Sequence, residues 1–105
     1  MELTFRTREL RTLCQEHDKA VAKMGEPAAD ALRTRLADLR AVTYLSELPA
    51  GRPSVVDGSP PELHFELRAG WLLRMAVGHQ DVPRTDEGEL DQTRVRRARV
   101  QRISV

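Results

Sequence analysis

The stretch Leu63-His64-Phe65-Glu66-Leu67-Arg68-Ala69-Gly70-Trp71-Leu72-Leu73-Arg74-Met75-Ala76-Val77 decides the fold. Before Arg68, the apolar residues Leu63, Phe65 and Leu67 alternate with His64 and Glu66. After Gly70, Trp71, Leu73, Met75 and Val77 alternate with Leu72, Arg74 and Ala76. Period-two alternation on both sides of a glycine predicts a β-hairpin with one buried face. The pattern also sets the register. A two-residue loop, Ala69-Gly70, would put Phe65 opposite Arg74 and mix core with charge. A three-residue loop, Arg68-Ala69-Gly70, puts Leu67 opposite Trp71, Phe65 opposite Leu73 and Leu63 opposite Met75. One continuous apolar face selects the longer loop, with Gly70 free to take the left-handed conformation. In that register His64 lies opposite Arg74 and Glu66 opposite Leu72, on the face turned from the core.

Upstream of the hairpin, Leu45 to Pro61 reads as a connector, punctuated by Pro49, Gly51, Pro53, Gly58, Pro60 and Pro61. Two helices precede it. The first carries Leu10, Leu13, Cys14, His17, Val21 and Met24 at steps of three and four, with Thr7 as N-cap and Gly25 past its end. The second starts at Glu26-Pro27, proline suiting the first helical position. Its stripe is Ala29, Leu32, Leu36, Leu39 and Thr43, with Arg33, Arg35 and Arg40 off it. Neither helix buries its stripe alone, so a helical hairpin packed on a sheet is expected. The chain opens with Leu3 and Phe5 alternating with Glu2, Thr4 and Arg6, a short strand.

Downstream, Gly78 to Gln92 is acidic and reads as a long loop. A final strand over roughly Arg94 to Ile103 is expected antiparallel to its neighbour. Ala98 and Val100 have one parity there, Val95 and Ile103 the other, and a bulge would reconcile them. The expected fold class is therefore α+β: an N-terminal strand, a helical hairpin and a three-stranded antiparallel meander in two layers.

Composition limits the function. The chain has 105 residues, enough for one domain over residues 1–105. Lys and Arg total 17 and Asp and Glu 16, so net charge is near zero and any basic surface must come from placement. Arg94, Arg96, Arg97, Arg99 and Arg102 crowd the last stretch with no acid among them. Arginines on one element favour phosphate contacts, while a solvated charged face is the plainer alternative. One cysteine, Cys14, rules out a disulfide within the chain, and its stripe position makes it a packing residue. No apolar run is long enough to span a bilayer, and no apolar leader opens the chain, so a cytoplasmic protein with no membrane partner is expected. No His, Cys and carboxylate cluster has metal-ligand spacing, and no glycine-rich phosphate loop is present, so neither metal nor cofactor is expected.

The chemistry-bearing residues gather on the outward face. Arg74 could hold a phosphate bidentately, and His64 opposite it could move a proton near neutral pH. Glu66 could act as a general base or pair with Arg68 or Arg74. These three are the candidate catalytic residues. Arg68, Arg74, Arg97 and Arg99 are the candidate RNA-binding cations. Trp71, on the core side with Leu67, is expected to pack and not to stack on a base.

Several stretches carry a further likeness. They are the opening strand, Leu32-Arg33-Thr34-Arg35-Leu36-Ala37-Asp38-Leu39, Glu47-Leu48-Pro49-Ala50-Gly51-Arg52-Pro53, Leu63-His64-Phe65-Glu66-Leu67 and Gly88-Glu89-Leu90-Asp91. Together they resemble the RelE/ParE superfamily along nearly the whole chain, and most of all its HigB-like killer-protein branch. The resemblance implies the toxin of a type II toxin–antitoxin system with a RelE-like fold. It implies a HigA-like helix-turn-helix antitoxin as partner in a hetero-oligomer. It also implies a metal-independent mRNA endoribonuclease that acts at the ribosome and arrests growth. In that chemistry a ribose 2′-hydroxyl attacks the adjacent phosphate while the protein moves protons and stabilises charge. The chain departs from the family at Asp57, where relatives carry lysine, and at Leu72, where they carry arginine. It stops at Val105, where relatives often continue into an Asp-Tyr-His-like tail, and it keeps a basic residue at Arg99. A non-cleaving binding protein on the same fold and a plain interaction module remain the alternative readings.

Overall fold

The computed structural model describes residues 1–105. The hairpin forms in the expected register. Strands β3 (Glu62–Glu66) and β4 (Leu72–Val77) pair antiparallel, with Leu63 opposite Met75, His64 opposite Arg74 and Phe65 opposite Leu73. The Leu67 N–H donates to the Trp71 carbonyl at 2.8 Å and closes the three-residue loop. Gly70 takes a positive φ of 78°, and Ala69 does so too, at 56°. A Cβ in that region costs roughly 1 kcal/mol or more, so the register is held by the apolar face against some turn strain.

The strand at the start is β1 (Glu2–Phe5), with Leu3 and Phe5 packed against the core. Thr7 caps the next element as expected, its hydroxyl accepting from the Leu10 N–H at 3.2 Å. The single helix expected from there to Gly25 is instead two helices, α1 (Arg8–Gln15) and α2 (His17–Met24). Glu16 breaks them with an extended backbone, φ −114° and ψ 99°. A straight helix over Arg8 to Met24 would run ~25 Å in one direction. The break lets α1 lie against β1 and the last strand, β5 (Arg97–Ser104), while α2 packs on α3 (Glu26–Ala41). Each half then buries its own side, Leu10 and Leu13 in one, Ala20 and Met24 in the other.

Helix α3 starts one residue before Pro27 and buries Ala28, Ala29, Leu32, Leu36 and Leu39. Thr43, expected on this stripe, lies past the helix end and is exposed. Arg35, expected off the stripe, is half-buried instead. Its guanidinium sits over the Phe65 ring at 5.6 Å and donates to the Ala50 carbonyl at 3.1 Å. The connector is also more ordered than expected. It contains a 3-10 turn at Leu45–Glu47 and a short edge strand, β2 (Ser54–Val56), antiparallel to β3. Three residues are too few for periodicity to reveal a strand.

The last strand, β5 (Arg97–Ser104), is antiparallel to β4 and carries the expected bulge. Met75 faces Val100 and Arg74 faces Arg102, leaving Gln101 as the extra residue. That single insertion brings Ala98, Val100 and Ile103 onto one buried face. Strand β1 pairs with β5 in parallel, Leu3 beside Ala98, so the sheet order is β1-β5-β4-β3-β2. The segment over 78–92 folds back on itself. Thr85 N–H donates to the Glu89 carbonyl at 2.8 Å, Asp91 N–H to the Pro83 carbonyl at 2.9 Å, and Leu90 is buried. The result is an α+β two-layer fold. One sheet face and the helices enclose a core led by Phe65, Leu32, Leu36, Leu39, Leu63 and Met75. The opposite sheet face is left without helices.

Candidate functional site

Alternation along β3, β4 and β5 decides what that second face presents. Leu63 and Phe65 are buried, so His64 between them must point away from the helices. Leu73 and Met75 do the same to Arg74, and the bulge turns Arg102 outward ahead of buried Ile103. Ser54, His64, Arg74 and Arg102 therefore form one cross-strand row over four adjacent strands. The next row holds Val56, Glu62, Ala76, Arg99 and Thr4. Arg74 and Arg102 stand directly opposite each other, a like-charge pair that weakens a sheet.

One acid tempers this. Glu62 Oε1 accepts from His64 Nε2 at 2.9 Å and from Arg74 Nη2 at 3.1 Å. These hydrogen bonds, the histidine's first and the arginine's second, hold the Glu62 carboxyl below its ordinary range. The carboxylate is therefore ionised at neutral pH and accepts only, so His64 Nε2 carries the hydrogen. The Arg74 Nε is buried with no partner. Arg99 and Arg102 form no ion pair, whereas Arg97 is engaged by Glu2 at 2.7 Å.

The site residues expected from sequence fall into three places. His64 and Arg74 meet through Glu62, and Arg99 lies one row away on the same face. Arg97 shares that face but is tied to Glu2 at the β1 edge. Glu66 is exposed at the far end of β3 opposite Leu72 and makes no ion pair with Arg68 or Arg74. Arg68 sits in the hairpin loop and lines, with Glu66, Arg35 and Asp30, a cleft of about 480 Å³ toward α3. Glu62 and Arg102 were not among the expected site residues. Glu62 had a signal, since it stands two residues before His64 and shares its face. Arg102 had none, because its orientation depends on where the bulge falls.

A second cleft, of about 610 Å³, opens on the same face between Arg99, Thr4, Gln101, Ser59 and the turn after β4. No acid lines it. His79 is half-buried at its edge, and its Nε2 accepts from the Arg96 N–H at 2.9 Å. Burial, with Arg96 and Arg97 nearby, lowers the affinity of that ring for a proton below the ordinary histidine value. On the helical side, burial pushes the Cys14 thiol up to about 11, which keeps it a packing thiol at neutral pH. His17 pairs with Asp30 at 3.1 Å across α2 and α3. No group of three His, Cys, Asp or Glu side chains converges as a metal site would. No helix is long and apolar enough to cross a membrane.

The fold and site thus define a small α+β sandwich with an uncovered, arginine-bearing sheet face. No family model matches the chain, no curated protein matches it, and no solved structure matches it. What the face can do follows from its groups. Guanidinium forks bind phosphate oxygens, and an imidazole held by one nitrogen exchanges protons at the other.

Proposed function

We propose that this chain is the toxin of a type II toxin–antitoxin pair and acts as an mRNA endoribonuclease on the open sheet face. The observation that carries the reading is the cross-strand row of His64, Arg74 and Arg102, with Arg99 in the row beside it. Two opposed arginines cost stability in an isolated sheet, and a bridging phosphodiester removes that cost. His64 takes the proton from a ribose 2′-hydroxyl. The freed oxygen attacks the adjacent phosphorus, and the bond to the 5′-oxygen breaks as that oxygen gains a proton. Arg74 and Arg102 balance the charge that grows on the phosphate oxygens. Glu66, which lines the cleft toward α3, stands apart from this row, so the 5′-oxygen takes its proton from solvent water. The likeness to HigB-type toxins supports a helix-turn-helix antitoxin as the neutralising partner, a ribosomal substrate and a cytoplasmic site of action.

A non-cleaving binder on this fold is the second reading. It is favoured by Glu62, which engages Arg74 and His64 at once and reduces the charge offered to RNA. One experiment separates the two. The chain is induced alone and together with the adjacent reading frame, and mRNA 5′ ends are mapped. Growth arrest with new 5′ ends, both abolished by the neighbouring gene product, is the expected result. Arrest without new ends favours the binder. Normal growth in both inductions removes the toxin reading.

A further inference from the structure

We infer that Glu62 is the positioning residue of the open face: it clamps His64 by Nε2 and Arg74 by Nη2, leaving His64 Nδ1 as the atom that takes the ribose proton. The inference deepens the nuclease reading and rests on it. Its geometry is specific. A single oxygen, Glu62 Oε1, receives both donors, at 2.9 Å from the ring and 3.1 Å from the guanidinium. Both donors lie on neighbouring strands whose backbone is fixed by buried flanking residues, Leu63 and Phe65 on β3, Leu73 and Met75 on β4. The residue directly opposite Glu62 is Ala76. Its small side chain leaves the diagonal toward Arg74 clear, which a larger cross-strand partner would fill.

The chemistry follows from donor and acceptor roles. A guanidinium never accepts, so the oxygen it shares with the ring must be the acceptor for both. The ring hydrogen is therefore committed at Nε2, and the His64 ring makes no other hydrogen bond within the chain. A carboxylate that orients one imidazole nitrogen while the other moves a proton is a recurring catalytic arrangement. The same carboxylate also holds the Arg74 fork beside the ring, where a phosphate oxygen would need it.

The test uses the full chain, the Glu62→Ala and Glu62→Gln variants, and an mRNA presented on purified translating ribosomes. Amide spectra first establish that each variant is folded. Proton exchange with solvent is then measured by NMR at His64 Nε2–H and the Arg74 Nη protons. Exchange about tenfold or more faster in Glu62→Ala is expected, with Glu62→Gln intermediate because its carbonyl still accepts. In cleavage, kcat should fall about tenfold to a hundredfold in Glu62→Ala with KM not raised, and Glu62→Gln should recover part of it. A loss confined to KM would mark Glu62 as a binding residue and overturn the inference. Equal exchange rates in wild type and Glu62→Ala would overturn it too. Wild-type protein that leaves RNA uncut while the exchange contrast persists overturns the nuclease reading and the role of Nδ1, and leaves the clamp itself standing.

Discussion

The two faces of one sheet are built from alternate residues of the same three strands, yet they are fixed by different forces. On the covered face Leu63, Phe65, Leu73, Met75, Val100 and Ile103 lie under the helices, nearly or wholly out of water. On the open face Glu62, His64, Arg74, Arg99 and Arg102 are half-buried or exposed and meet through single hydrogen bonds or not at all. Burial of an apolar side chain contributes a few kcal/mol, whereas an exposed ion pair contributes about 1 kcal/mol or less. The covered face therefore sets the shape, and the open face is free to carry groups that do not favour folding. Its opposed arginines, Arg74 and Arg102, fit a surface kept for a ligand.

That contrast breaks first at Phe65. Replacing it with alanine removes a ring that is 2% exposed and strands the Arg35 guanidinium above it. A loss of about 3–5 kcal/mol is expected in urea unfolding, a large share of the stability of a domain this size. A change below about 1 kcal/mol would mean that the covered face does not hold the fold. Gly51→Ala should come next. Gly51 has φ 68°, and a Cβ there would overlap the Arg35 guanidinium. About 1–3 kcal/mol is expected, read by the same unfolding curve.

Substitutions on the open face sharpen the contrast in the opposite sense. His64→Ala and Arg74→Ala should each change stability by about 1 kcal/mol or less while abolishing growth arrest and mRNA cutting under the nuclease reading. Wild-type cutting by both variants would remove these residues from the site. The pH dependence isolates Glu62. Its folded carboxyl titrates below its ordinary value of 4.5, so its contribution is complete above that value and disappears as pH falls through the folded one. The free energy of unfolding should fall more steeply with acidification over that range for wild type than for Glu62→Gln, and parallel curves would refute the link. The smallest effect belongs to the exposed pair at the sheet edge. Glu2→Ala frees Arg97 and should cost about 0.2–1 kcal/mol, less in high salt.

Local pattern by itself determined a good deal of this molecule. The alternation between Leu63 and Val77 dictated the hairpin, its three-residue loop and the pairing of His64 with Arg74, because a slip of one residue would bury charge. The conflict of parity of Ala98 and Val100 with Val95 and Ile103 pointed to a bulge, and Thr7 announced a helix start. These are short-range consequences of side-chain period, and a single sequence contains them in full. The break at Glu16 was hidden because no glycine or proline marks it. Its cause is the direction α2 must take to reach α3, a demand made by distant residues. Strand β2, the parallel seating of β1 on β5, and the exit of Arg102 beside Arg74 were settled by tertiary pairing alone. Glu62 shows the division within one residue. Its face follows from its distance to His64, but its grip on Arg74 needs a second strand, twelve positions further along, to arrive at the right height.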